Sequence, residues 1–341
     1  MSTVPKSTLD AAATAPAAPP DYNRLNLNFR QPVPRPMVRG PVIDFHVHLQ
    51  AARHAAVWFE AADHYGIDRF VTMTPLEEAL TLQRDWPGRL QFIAVPKWGD
   101  WGPGFIDQWL GRIEAFYNIG CRIVKFWFAP PAWGDRGWRL DSEMFRPLFE
   151  EVVARRMAIM THVGDPEVWY QSRYNDAAKY GTRDDHYAMW ERLLDAYAAR
   201  VPAWIGAHLG GNPENLPRLQ RLLDKYPNLY FDNSATKWII RELSAKRDES
   251  RDFVIRNQTR ILFGTDQVSN DQRGFDFLAS RYWVHRRFWE TARTGPSPIH
   301  DPEVPDDAQP VIRGLALPDQ TLQYLYHTNA ATLLSRLGAS F

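Results

Sequence analysis

The chain predicts an α/β fold, a (β/α)₈ barrel of the TIM type, and three observations carry that expectation. Short β-branched or apolar runs recur after Pro41, helix-like stretches separate them, and no glycine-rich phosphate turn follows an early strand. Strands alternating with helices argue for a parallel sheet with helices packed on it, and eight such units suffice to close the sheet on itself. The open, doubly wound alternative would place Gly-x-Gly-x-x-Gly after its first strand. Here the first strand runs into His48-Leu49-Gln50-Ala51-Ala52-Arg53.

The strand-like runs are 42–48, 70–74, 91–96, 122–128, 157–163, 203–209, 229–233 and 260–266. The helix-like stretches are 51–65, 76–85, 104–118, 142–155, 184–199, 213–225 and 236–257. Leu216, Leu219, Leu222 and Leu223 show the three- and four-residue spacing of a buried helix face. Asp141-Ser142-Glu143 reads as a helix start. Long connections follow strands four (129–140), five (164–183) and eight (267–318). All leave the C-terminal ends of strands, the face on which barrels build their sites. The domain organisation is an arm over 1–40, disordered to about residue 20 and extended beyond, followed by a barrel over 41–341.

Lysine plus arginine equals aspartate plus glutamate at 40 each, which speaks against a nucleic-acid partner. No apolar run reaches the roughly 18–20 residues of a membrane span, and the N-terminus lacks the pattern of a signal peptide. The single cysteine, Cys121, excludes an intramolecular disulfide. A cytoplasmic protein acting on a small-molecule substrate is the expectation. The Arg30–Pro36 stretch of the arm and the aromatic segment 282–289 leave room for a homodimer.

The chemistry begins at Asp44-Phe45-His46-Val47-His48. Residues two apart on a strand share a face, so His46 and His48 point together into the barrel. Two adjacent imidazoles form a claw for a divalent transition metal, although such a pair also arises by chance. Further polar residues end later strands where apolar runs give way to glycine: His162 on the fifth, His208 on the sixth, Asp266 on the eighth. If His208 and Asp266 face inward, parity turns Gly206 and Gly264 inward beneath them.

This order of residues resembles the amidohydrolase superfamily. The strings Ile43-Asp44-Phe45-His46-Val47-His48 and Leu262-Phe263-Gly264-Thr265-Asp266 are similar to its amidohydrolase-related branch, as is the closing Tyr326-His327-Thr328-Asn329-Ala330-Ala331-Thr332-Leu333-Leu334. That branch holds aminocarboxymuconate-semialdehyde decarboxylase-like enzymes and lactonase-like hydrolases. The resemblance covers about residues 41–338. It implies His46, His48, His162 and Asp266 as ligands of one divalent metal, zinc first with Mn²⁺ or Fe²⁺ as alternatives. It implies Asp266 and His208 as catalytic residues. Asp266 would move the proton of a metal-activated water, and His208 would polarise a carbonyl or hold a departing anion.

Lys125 ends the fourth strand. In some branches a carboxylated lysine there bridges two metals; here an inward lysine facing a substrate carboxylate is preferred to a second metal. Trp127, Trp169 and Arg173 join it as substrate-binding candidates. Asp232-Asn233-Ser234 reads as a polar strand end in preference to a group that orders substrate, and Arg136, Arg139 and Arg183 as loop residues able to bind a carboxylate but more often solvated. The favoured function is a metal-dependent hydrolase attacking an ester, lactone or amide carbonyl. The alternatives are a non-oxidative, metal-dependent decarboxylase of an aromatic or unsaturated acid, and a ligand-binding barrel without catalysis.

Overall fold

The computed structural model describes residues 20–341. The stretch expected to be disordered lies, apart from its last residue, outside them. Outside a small antiparallel pair, Thr294–Pro296 with Val311–Arg313, the strands are β1 (Ile43–His48), β2 (Arg69–Thr72), β3 (Leu90–Phe92), β4 (Ile123–Trp127), β5 (Ala158–His162), β6 (Trp204–Gly206), β7 (Leu229–Asp232), β8 (Ile261–Leu262) and β9 (Gln267–Val268). All pair in parallel, β1 through β3 in one run and β4 through β8 in another. Two seams join the runs into a barrel. Ala94 bridges Val124 beyond β3, and on the far side Phe45 N–H donates to Phe263 O while β9 pairs with β1.

Helices Ala55–His64, Leu76–Asp85, Phe105–Asn118, Arg146–Ala154, Arg183–Tyr197 and Leu216–Lys225 surround the sheet, near their expected positions. The best-formed start is at Thr182, whose hydroxyl accepts Asp185 N–H while Asp185 answers from its side chain. Ser142 makes no such cap, and a 3₁₀ turn, Glu143–Phe145, precedes the helix expected there.

Three expectations need correction. The helix expected over 236–257 is two, Trp238–Ala245 and Arg247–Arg256, because Lys246 leaves helical geometry while its Nζ donates to Glu214 O. The connection after the eighth strand is not mainly loop: Phe275–Glu290 is a helix packed beside Ala55–His64. Its Tyr282, Phe288 and Trp289, offered as a dimer contact, are buried in the chain's own core. Each such ring stabilises the fold by roughly 1.5–3 kcal/mol when fully buried. Third, the sixth strand stops at Gly206, before His208. Its glycine faces outward, since an added Cβ there would meet Trp190 and Phe231 at 2.9 Å.

The arm runs along the barrel wall. Phe29 is buried and its carbonyl accepts Tyr65 O–H; Arg30 pairs with Glu60 and Arg35 with Asp68. No helix among the described residues is long and apolar enough to cross a membrane.

Candidate metal centre

The ligand atoms of His46, His48 and Asp266 lie within 4.8 Å of one another, as do those of His46, His208 and Asp232. Each is placed by local backbone. β1 carries His46 and His48 on one face, their rings 5.6 Å apart. Asp266 sits just past β8 with φ 56°, and His208 just past β6 with φ 57°. Side chains rarely adopt this left-handed geometry, and it is tolerated where the surroundings over-determine it.

The surroundings here are specific. Asp44, fully buried, accepts Thr265 N–H at 3.0 Å and Thr265 O–H at 2.6 Å, which clamps the turn before Asp266 onto β1. Asp266 N–H then donates to His46 O. Gly264 is needed for the close approach, since a Cβ there would lie 2.9 Å from His46 Cβ and 3.0 Å from Ser234 Cβ. Burial pushes the Asp44 carboxyl up to about 8, against the hydrogen bonds from Thr265.

Asp232 contradicts its reading as a polar strand end. Its Oδ2 accepts His46 Nδ1–H at 2.8 Å, and its Oδ1 accepts His208 N–H at 2.9 Å. Ser234 O–H also donates to Oδ1, so the 2.7 Å contact between Ser234 Oγ and His208 Nδ1 is donated by the ring. Burial would raise the Asp232 carboxyl, but its contact with His46, above all the hydrogen bond from Nδ1–H, holds it well below the usual range. Asn233 Oδ1 accepts Gly264 N–H. The signal available in the sequence was the position alone, three polar residues closing a strand next to the one that ends in Asp266.

This wiring fixes the tautomers. With Nδ1–H committed to Asp232, His46 carries its lone pair on Nε2, which is buried and has no hydrogen-bond partner. A carboxylate orienting a ligating imidazole is the arrangement that metal sites use. The orphaned Nε2 lies 3.4 Å from Asp266 Oδ1, and His48 Nε2 lies 3.1 Å from the same oxygen. Two imidazoles and a carboxylate around one point suit a divalent transition metal. Burial lowers the pKa of both His46 and His208, keeping them neutral as ligands require. Burial works against Asp266, yet the cluster of imidazoles around it, His208 first, and the His48 hydrogen bond hold its carboxyl well below the usual range.

His162 stands beside this group and outside the close trios. Its ring is 4.5 Å from that of His208, and its Nε2 meets Asp165 Oδ1 at 3.0 Å. Lys125 lies inside the barrel, its Nζ buried without a hydrogen-bond partner. Burial lowers its pKa to about 8, with Asp232 and Asp266 opposing. Trp127 meets His162 edge-on at 6.3 Å and continues through Trp98 and Trp101 into an aromatic wall. Trp169 and Arg173 line a cavity of about 290 Å³ that reaches Asp266. Arg173 stacks on Trp169 and faces Glu303 at 3.7 Å. Two of the loop arginines are engaged by the chain rather than extended into solvent: Arg136 lies over Trp101, and Arg183 bonds Asn212 and Asp165 O, while Arg139 stays exposed over Trp133.

Comparison with known proteins identifies the family and the fold. The amidohydrolase family profile matches residues 27–336. No curated protein matches the chain. The fold is similar to that of an uncharacterized TIM-barrel protein from Bordetella bronchiseptica (13% identity, TM-score 0.54, 88% of this chain and 100% of that one). It is also similar to 4-oxalomesaconate hydratase from Rhodopseudomonas palustris (14%, 0.52, 87% and 96%) and 5-carboxyvanillate decarboxylase from Sphingomonas paucimobilis (10%, 0.52, 86% and 99%). At these identities the likeness is one of fold.

Proposed function

The chain belongs to the amidohydrolase family, and from that premise we propose that it is a metal-dependent hydrolase attacking an ester, lactone or amide carbonyl of a small carboxylated or cyclic substrate. The supporting observation is the buried, unpartnered Nε2 of His46 aimed at the carboxylate shared with His48. In this reading His46, His48, His162 and Asp266 hold one divalent cation, zinc before Mn²⁺ or Fe²⁺, with His162 exchanging its Asp165 contact for it. Such a cation supplies an acidified water and polarises a carbonyl oxygen.

The remaining chemistry belongs to the side chains. Asp266, ionised, takes the proton of the attacking water and passes it on. His208 donates Nδ1–H to Ser234, so its Nε2 carries a lone pair. A neutral ring of this tautomer accepts at Nε2 and does not polarise the carbonyl; His208 takes the proton that Asp266 removes from the water and hands it to the departing group. Lys125, unpaired inside the barrel, meets a carboxylate of the substrate.

Decarboxylation of an aromatic or unsaturated acid is the second reading. The aromatic wall beside Lys125 favours it, because rings stack there next to a cation. Measuring CO₂ release against proton release over a panel of acids and lactones separates the two. Hydrolysis predicts proton release without CO₂ from a lactone. Absence of stoichiometric metal, with activity indifferent to chelators, would overturn both and favour a barrel that only binds.

A further inference from the structure

We propose that Arg273 and Arg281 form a carboxylate-binding subsite beside the metal centre. It takes an acid group that the substrate carries away from the reacting bond. That the ligand is a substrate rests on the hydrolase reading, whereas the subsite itself rests on geometry. Arg273 follows β9, and Arg281 projects from the helix Phe275–Glu290. Their guanidinium carbons lie 4.5 and 3.4 Å from the centroid of the Phe277 ring. Both line the cavity of about 290 Å³ that also contains Asp266, Trp169 and Trp238.

Neither has an acidic hydrogen-bond or salt-bridge partner among the described residues. Among the described residues Arg273 donates from Nη1 to Val268 O, and Arg281 from Nη1 to Phe277 O and Ser280 Oγ. Within the same described residues the Nε and Nη2 groups of both are left without hydrogen bonds. Other arginines with little side-chain exposure are treated differently: Arg112 meets Glu77, Arg241 meets Asp301 and Arg286 meets Glu290. Burial, and then the charge of Arg273, lowers the pKa of Arg281; a guanidinium keeps its proton regardless, and although the Asp266 carboxylate acts on Arg273 across the cavity, neither arginine has a carboxylate in salt-bridge contact among the described residues.

Two planar forks suit a carboxylate, which accepts from both edges of a guanidinium. The neighbouring rings Phe277, Trp169 and Trp238 suit a flat, unsaturated skeleton carrying it. Arg173, the arginine expected from the sequence to bind the acid, is already close to Glu303, while Arg273 and Arg281 are in direct contact with no acid among the described residues.

The test uses the full chain with its native metal, titrated with isophthalate and separately with its monoamide, following tryptophan fluorescence. Isophthalate should bind at least about tenfold tighter, the worth of one charged hydrogen-bonded group. Arg281→Gln and Arg273→Gln should each remove most of that preference, with metal content unchanged and the melting temperature equal or higher. Failure of the unaltered protein to bind either probe, equal binding of both, or a preference surviving in two folded variants would overturn the subsite. Binding is read without turnover, so the response of activity to chelators decides the hydrolase reading separately.

Discussion

On the β1, β7 and β8 side of the barrel mouth, polar side chains hold one another: Asp232 takes His46 and Ser234, Asp44 takes Thr265, and Asn233 takes Gly264. On the β3 and β4 side, Trp98, Trp101, Phe105, Trp127 and Trp138 meet through ring faces and edges. Hydrogen bonds are directional and fix an atom to within a fraction of an ångström. Ring contacts contribute area and tolerate several orientations. The first side is built to place ligands and protons, the second to receive a skeleton. Substitutions should therefore split cleanly, touching turnover and metal on one side and substrate affinity on the other.

The largest effect is expected at Asp266. Asp266→Asn removes the proton acceptor and a ligand oxygen while preserving shape, so kcat should fall about 10²–10⁴-fold, the usual weight of a general base. Steady-state rates at fixed metal occupancy measure it. Retention of more than a tenth of the activity would remove Asp266 from the proton path.

Asp232 tests the same side one bond further out. Asp232→Asn would put an amide where His46 Nδ1–H needs an acceptor, and metal affinity should fall about 10–100-fold. Competition with a chromogenic chelator reads this directly. Wild-type affinity would mean that the Asp232–His46 bond does not orient the ligand.

These two aspartates also show what a sequence can and cannot disclose. Asp266 was legible because it ends an apolar run and closes a recognisable series with His46, His48, His162 and His208. Asp232 was not, because its importance lies in reaching His46 across 186 positions, a partnership that no local pattern encodes. The strings around β1 and β8 were recognised separately, and the fold explains their pairing: Asp44 of one accepts Thr265 of the other. The eight-unit barrel was visible in periodicity. The outward turn of Gly206 was not, because strand parity ends where His208 and Leu209 enter left-handed geometry. The helix Phe275–Glu290 was hidden among aromatics and arginines whose apolar face shows only once Ala55–His64 lies against it.

The aromatic side is the place to sharpen the comparison. Trp101 touches Trp98, Phe105 and Trp138 and lies under Arg136, away from the metal ligands. Trp101→Ala should raise KM about tenfold with kcat within about threefold, because uniform binding is what it removes. Metal content should be unchanged. A fall in kcat at constant KM would break the division between the two sides.

The smallest effect concerns the support behind the polar side. Trp289 Nε1–H donates to His285 Nδ1, which leaves Nε2–H to donate to Thr236 Oγ1, and Thr236 donates to Thr265 O beside Asp266. That chain demands a neutral ring, and burial pushes the His285 pKa down to about 3. The folded state thus binds its proton less readily than the unfolded chain, whose histidines titrate near 6.5. Stability from this group is present above that value and lost as pH falls towards the folded pKa, by about 1 kcal/mol between pH 6.5 and 5.5. His285→Gln keeps an acceptor for Trp289 and a donor for Thr236 but cannot titrate. Urea unfolding at the two pH values should therefore show a smaller acid loss in the variant, and an equal loss in both proteins would place the acid sensitivity elsewhere.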